Sequence, residues 1–94
     1  MKLVSVDVTS ITTANELHVL LKHMLCFPDF YGMNWDAFWD SITGLVEMPD
    51  KLEITGWQNL LDVLPRDAEI FLECLNEYNK QPDLKKIEVL IKTR

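Results

Sequence analysis

The chain has 94 residues, 48% of them hydrophobic, with nine lysines and arginines against fifteen aspartates and glutamates, for a formal net charge of −6. That length predicts one domain over residues 1–94, and the apolar share supplies one core, which excludes a disordered chain. No apolar run approaches the roughly 20 residues of a membrane span, and an acidic surface disfavours direct binding to nucleic-acid phosphates while attracting basic partners.

The elements follow in chain order. Lys2–Val8 alternates apolar and polar residues and predicts a strand. Thr12 or Thr13, the latter with Glu16 at capping-box spacing, caps a helix over Ala14–Cys26 that carries Leu17, Leu20, Leu21, Met24 and Leu25. Phe27-Pro28 stops it, because the residue before a proline is pushed out of the helical region. Asn34 is a good N-cap for a second helix running to about Val46. Leu52 and Ile54 form a second strand with Gly56 as its turn. Trp57–Leu64 predicts a short helix closed by Pro65. Asp67–Lys80 predicts an amphipathic helix built on Ala68, Phe71, Leu72 and Leu75. Lys86–Lys92 alternates Ile87, Val89 and Ile91 as the last strand. The order β-α-α-β-α-α-β, with helical crossovers, implies an α/β fold: a three-stranded parallel sheet packed with about four helices.

Phe30 to Glu47 holds five aromatics and several acids but no lysine or arginine. On a helical wheel at about 100° per residue, Trp35, Phe38, Ile42 and Leu45 form a core stripe. Asp36, Asp40 and Thr43 form the neighbouring stripe, with Trp39 on the boundary. A solvated face and the helix dipole account for Asp36. They do not account for Asp40, four residues from a like charge without a local counterion, a spacing that costs roughly 0.2–0.5 kcal/mol. The last helix repeats the pattern with Glu69, Glu73 and Glu77, relieved only by Lys80; a solvated face suffices for Glu69 and Glu73.

These residues resemble the barstar family, intracellular inhibitors of the secreted ribonuclease barnase. The resemblance spans nearly the whole chain. It includes Glu16-Leu17-His18, Leu25 to Pro28, and Tyr31-Gly32 with Asn34. Its most specific part is Asp36-Ala37, Trp39-Asp40 and Thr43-Gly44. It implies a partner-binding surface made of the second helix and the loop before it: Phe30, Asn34, Trp35, Asp36, Trp39, Asp40, Thr43, Gly44 and Leu45, with Glu77 from the last helix. Four positions in or beside that surface depart from the family pattern. Phe30 lacks a tyrosine hydroxyl, Trp35 replaces a smaller aliphatic residue, Leu45 replaces a tryptophan, and Ser41 stands in place of a cysteine.

The implied function is inhibition of a barnase-like ribonuclease or related nuclease toxin, whose site concentrates basic groups to hold RNA phosphates. Asp40 would be the central anchor for arginine, Asp36 would meet a second cation, and Glu77 would reach across. Phe30 and Trp39 would exclude water from these pairs. The chain is expected to be an inhibitor of immunity type, not an enzyme. It should need no cofactor, contact neither nucleic acid nor membrane, and be a monomer when free. A second reading is a binding module of the same fold for a basic protein that is not a nuclease.

Catalysis and metal binding have little support. There is no glycine-rich phosphate loop. His18 and His23 lie about 140° apart on a helix, and His23 with Cys26 makes only two ligands; each histidine is expected at the surface or partly buried. Cys26 and Cys74, in apolar helical surroundings, are expected as buried reduced thiols. The segment MKLVSVDVTS lacks the longer apolar region and cleavage site of a secretory signal, so a cytoplasmic location is expected. Trp57, Met24, Met33 and Met48 read as packing residues.

Overall fold

The computed structural model describes residues 1–93. Its elements are β1 (Leu3–Asp7), α1 (Ala14–Met24), α2 (Trp35–Gly44), β2 (Lys51–Thr55), α3 (Trp57–Val63), α4 (Pro65–Asn79) and β3 (Glu88–Lys92). The strands form one parallel sheet in the order β1-β2-β3, so the α/β fold and the β-α-α-β-α-α-β order agree with the sequence analysis.

Alternation along the strands decides which side of the sheet meets the helices. Val4, Leu52 and Val89 share one row and Val6, Ile54 and Ile91 the next. Val6, Leu52 and Ile54 are fully buried, under a layer that includes Leu17 and Leu21 of α1, Phe38 and Ile42 of α2, and Phe71 and Leu75 of α4. Removing each such side chain from water contributes roughly 1.5–3 kcal/mol. The opposite rows, Leu3–Lys51–Glu88, Ser5–Glu53–Leu90 and Asp7–Thr55–Lys92, stay exposed or half-exposed. Parallel sheets are usually covered on both faces. Here charge pairs make the second face compatible with water: Lys51 to Glu88 at 3.4 Å and Lys92 to Glu53 at 3.2 Å, with the Ser5 hydroxyl donating to Glu53.

Several boundaries differ from the sequence expectation, each for a local reason. α1 ends at Met24, not at Cys26. Cys26 takes a left-handed φ of 59°, and the Phe27 N–H reaches back to the Lys22 carbonyl at 3.0 Å, which is a Schellman closure with a buried aromatic behind it. Cys26 is consequently exposed, against the expectation of a buried thiol; Cys74 is half-buried. His18 is buried at 3% exposure, deeper than expected, while His23 is exposed. Pro65 opens α4 instead of merely closing α3, because a helix's first position needs no N–H donor. α2 stops at Gly44 rather than Val46. Leu45, placed on the core stripe from periodicity, is therefore a cap residue with 51% of its surface exposed. Ser41, expected at or beside the contact surface, is buried.

Two asparagines fasten the helices to the sheet. Asn59 donates to the Val8 and Ile11 carbonyls at 2.9 Å. Asn79 accepts from the Ile87 N–H and donates to its carbonyl, both at 2.8 Å, as a neighbouring strand would. Gly56, at φ 81°, turns β2 into α3; a Cβ there would lie 2.5 Å from Thr9 Oγ1 and 2.8 Å from the Thr9 nitrogen. No other residue fits that approach without moving backbone.

Candidate protein-binding groove

The capped start of α2 determines what faces outward. Asn34 Oδ1 accepts from the Ala37 N–H at 2.7 Å while its Nδ2 donates to the Gly32 carbonyl at 3.1 Å. Both ends of its amide are thus engaged in holding the loop and the helix end. From that phase, Phe38, Ser41 and Ile42 turn into the core and Asp36 and Asp40 turn to solvent. Among the described residues neither aspartate takes part in an ion pair.

α4 packs beside α2 and leaves a groove of about 520 Å³ between them, lined by Trp35, Asp36, Trp39 and Asp40 from α2 and Ile70, Glu73, Cys74 and Glu77 from α4. Among the described residues four carboxylates line it, and no lysine, arginine or histidine does. Glu77 is partly answered from outside, by Lys80 one turn on at 3.1 Å. The fields of two opposite walls converge on the Cys74 thiol: burial raises its pKa first, then the negative charges of Glu73 and Asp36. The thiol therefore stays protonated at neutral pH. A trough of this composition, apolar at its base and anionic at its rims, suits a cationic side chain whose stem is hydrophobic.

Apart from Asn34, which is engaged as the α2 cap, the structure divides the residues singled out from sequence into three groups. Trp35, Asp36, Trp39, Asp40 and Glu77 share the groove. Trp35 is half-buried and belongs as much to the core: its ring stacks on Phe71 at 5.6 Å, and its Nε1–H donates to Asp67 at 2.8 Å. Phe30 lies apart in the preceding loop with 76% of its surface exposed. It is held outward because its neighbours are fixed: the Tyr31 N–H donates to the Pro28 carbonyl at 3.0 Å, closing a turn, and both Phe27 and Tyr31 are buried. Thr43, Gly44 and Leu45 rim a different cavity of about 430 Å³, whose wall mixes Lys2 and Lys85 with Glu47 and Asp50. The Thr43 hydroxyl already donates to the Trp39 carbonyl at 2.7 Å. A Cβ on Gly44 would meet nothing within 4 Å.

A solvated face is the sequence expectation for Glu73, yet it lines the groove. The signal available was the spacing Ile70, Glu73, Cys74, Glu77, which is one continuous helical stripe. The row Glu69, Glu73, Glu77 drifts by about 40° per step, so Glu69 lies off the groove. Among the described residues no group of three or more His, Cys, Asp or Glu is placed to hold a metal ion, and no helix is long and apolar enough to cross a membrane.

Comparison with known proteins gives the same fold family. A family model described as "Barstar (barnase inhibitor)" matches residues 1–93. A Bacillus subtilis (strain 168) protein named "Putative ribonuclease inhibitor YrdF" is 33% identical over 81 residues, covering 86% of this chain and 89% of that protein. With the match running from the first strand to the last and the acidic helix and groove in between, the chain belongs to the barstar family of barnase inhibitors.

Proposed function

We propose that this protein inhibits a ribonuclease by covering its basic active site with α2, the loop before it and the facing wall of α4. The observation that carries the reading is the groove lined, among the described residues, by four carboxylates and no cation, in a chain that belongs to a family of ribonuclease inhibitors. A ribonuclease must hold phosphates with arginine, lysine and histidine, and carboxylates fixed on a rigid helix occupy the same positions. Asp40, the more central of the two α2 aspartates, is the anchor and accepts charge-assisted bonds from an arginine. Asp36 meets a second cation near the helix start. Trp39 and the exposed Phe30 exclude water around those pairs. The protein acts by binding alone, performs no catalysis, and works as a monomer in the cytoplasm.

The test is titration of barnase, and of other small basic ribonucleases, with the purified protein. Stoichiometric loss of RNA cleavage is expected for at least one of them. Capture of a basic partner without ribonuclease activity, together with no inhibition of any enzyme tried, would replace this reading with that of a binding module for another protein class.

A further inference from the structure

Behind the groove lies a titratable group that no contact with a partner requires. His18 of α1 is buried. Its Nδ1 lies 2.7 Å from the Tyr31 hydroxyl, which in turn lies 3.4 Å from the Asn34 carbonyl at the cap of α2. Its ring is 4.5 Å from that of Trp35, and Trp35 donates to Asp67 in the first turn of α4. One string, Asp67–Trp35–His18–Tyr31, therefore ties α4, α2, α1 and the loop together, and Trp35 is also a wall of the groove.

We propose that His18 is a positioning residue for the inhibitory surface, and that its protonation loosens the loop and α2 and weakens binding of a cationic partner. The proposal rests on the groove being the binding site. Two physical effects act in the same direction. A neutral ring with its proton on Nε2 accepts the Tyr31 proton at Nδ1, whereas a protonated ring donates there and turns the tyrosine proton wholly to its long contact with the Asn34 carbonyl. That carbonyl also accepts from the Phe38 N–H at 3.0 Å and keeps a second lone pair for the hydroxyl, but at 3.4 Å the contact is long, so the loop must shift toward the α2 cap to make it good. A cation entering against Trp35 also repels a charge on the far side of the same residue, so partner and proton exclude one another.

The groups facing His18 are few. Tyr31 faces it from the loop, Asp67 from α4 and the uncharged Trp35 from α2. Lys22, one turn on in α1, donates instead to the Asp29 carbonyl. Burial lowers the His18 pKa and Asp67 opposes that more weakly, so the ring is neutral at neutral pH. Because the folded value is depressed, the native arrangement is favoured above histidine's ordinary value near 6.5 and loses that advantage as pH falls through the folded value.

The experiment has two arms. In the free protein, tryptophan fluorescence and hydrogen exchange of the Ala37 and Phe38 amides are followed from about pH 8 to about pH 5, wild type against His18→Gln at each pH. An acid-dependent fluorescence step, with faster relative exchange in wild type only, is expected, and Trp35→Phe should remove the fluorescence step. Identical profiles in wild type and His18→Gln would overturn the proposal. Should His18→Gln not fold, Tyr31→Phe replaces it and should make the exchange of those amides insensitive to the histidine titration; an unchanged acid dependence there would overturn the proposal equally. In the second arm, barnase affinity of the wild type relative to His18→Gln is expected to fall on acidification, by at most about tenfold per pH unit, the slope one proton allows. The ratio cancels the nuclease's own titration, and a constant ratio would overturn the link to binding. Absence of binding at every pH to barnase and to each other ribonuclease tried would count against the inhibitor reading instead, and the free-protein arm would still decide whether His18 holds the loop.

Discussion

The open face of the sheet and the α2–α4 groove use the same acidic side chains in opposite ways. On and beside the sheet three carboxylates each have a lysine, Glu88 with Lys51, Glu53 with Lys92 and Asp50 with Lys85, while Asp7 accepts from the Thr9 hydroxyl and N–H instead. In the groove Asp36, Asp40 and Glu73 have none among the described residues, and only Glu77 is paired, from its own helix. Exposed ion pairs contribute little each, about 0–1 kcal/mol, but they let a parallel sheet face water. Unpaired carboxylates crowded into one trough do the reverse: they strain the free protein slightly and hold in reserve an attraction for a cation from elsewhere. The pairing pattern, more than the number of acids, separates structural charge from binding charge.

Asp40 is the side chain on which this division of labour depends most. Asp40→Ala is expected to weaken ribonuclease inhibition by about 100- to 1,000-fold, the scale of removing one partner from a buried charge pair. The same change should leave the free protein's stability equal or higher by roughly 0.2–0.5 kcal/mol, since a like-charge i,i+4 contact is lost. An inhibition titration and a urea melt of one sample read both; equal inhibition by mutant and wild type would remove Asp40 as anchor. Glu73→Gln sharpens the boundary of the site. A loss of about tenfold, near 1.4 kcal/mol, is expected if the groove is occupied in the complex, and no change if only the α2 rim is used.

Salt should act with opposite signs on the two processes. Raising ionic strength beyond about 0.15 M screens the partner's attraction and slows association, while relieving repulsion in the groove and so raising the free protein's melting temperature modestly. Stopped-flow association rates and thermal melts at matched salt check the pair of signs. The smallest effect belongs to the sheet. Hydrogen bonds from Lys85 and from the Lys2 N–H, together with the Lys85 charge, hold the Asp50 carboxyl below its ordinary value of 3.8. It therefore favours folding above that value and ceases to as pH falls through its depressed one. Asp50→Asn should flatten the acid limb of the stability curve below about pH 4 without altering inhibition at neutral pH.

Much of this was legible in the chain itself. The Thr13–Glu16 capping box was readable and is present, with the Thr13 hydroxyl accepting from the Glu16 N–H at 3.1 Å. So was the Asn34 cap, and with it the outward phase of Asp36 and Asp40. Trp57 is buried as expected of a packing residue. Leu45 leaves the core stripe because periodicity assumes that the helix continues, and α2 ends one residue before it. Cys26 leaves its expected burial for a related reason: its left-handed backbone turns the side chain out of an apolar neighbourhood. Glu73 needed the position of α2, which no pattern within α4 supplies.

Periodicity, caps and turn residues act over a few positions, so the element order, the parallel sheet and the phase of each helix were properties of the chain's local chemistry. Whether a carboxylate is answered by a lysine from a neighbouring strand, and whether two helices leave a trough between them, depends on contacts between residues dozens of positions apart. Those contacts exist only once the core has closed. Packing therefore decided that Glu73 faces Asp36 across Cys74, and that His18 lies behind Trp35.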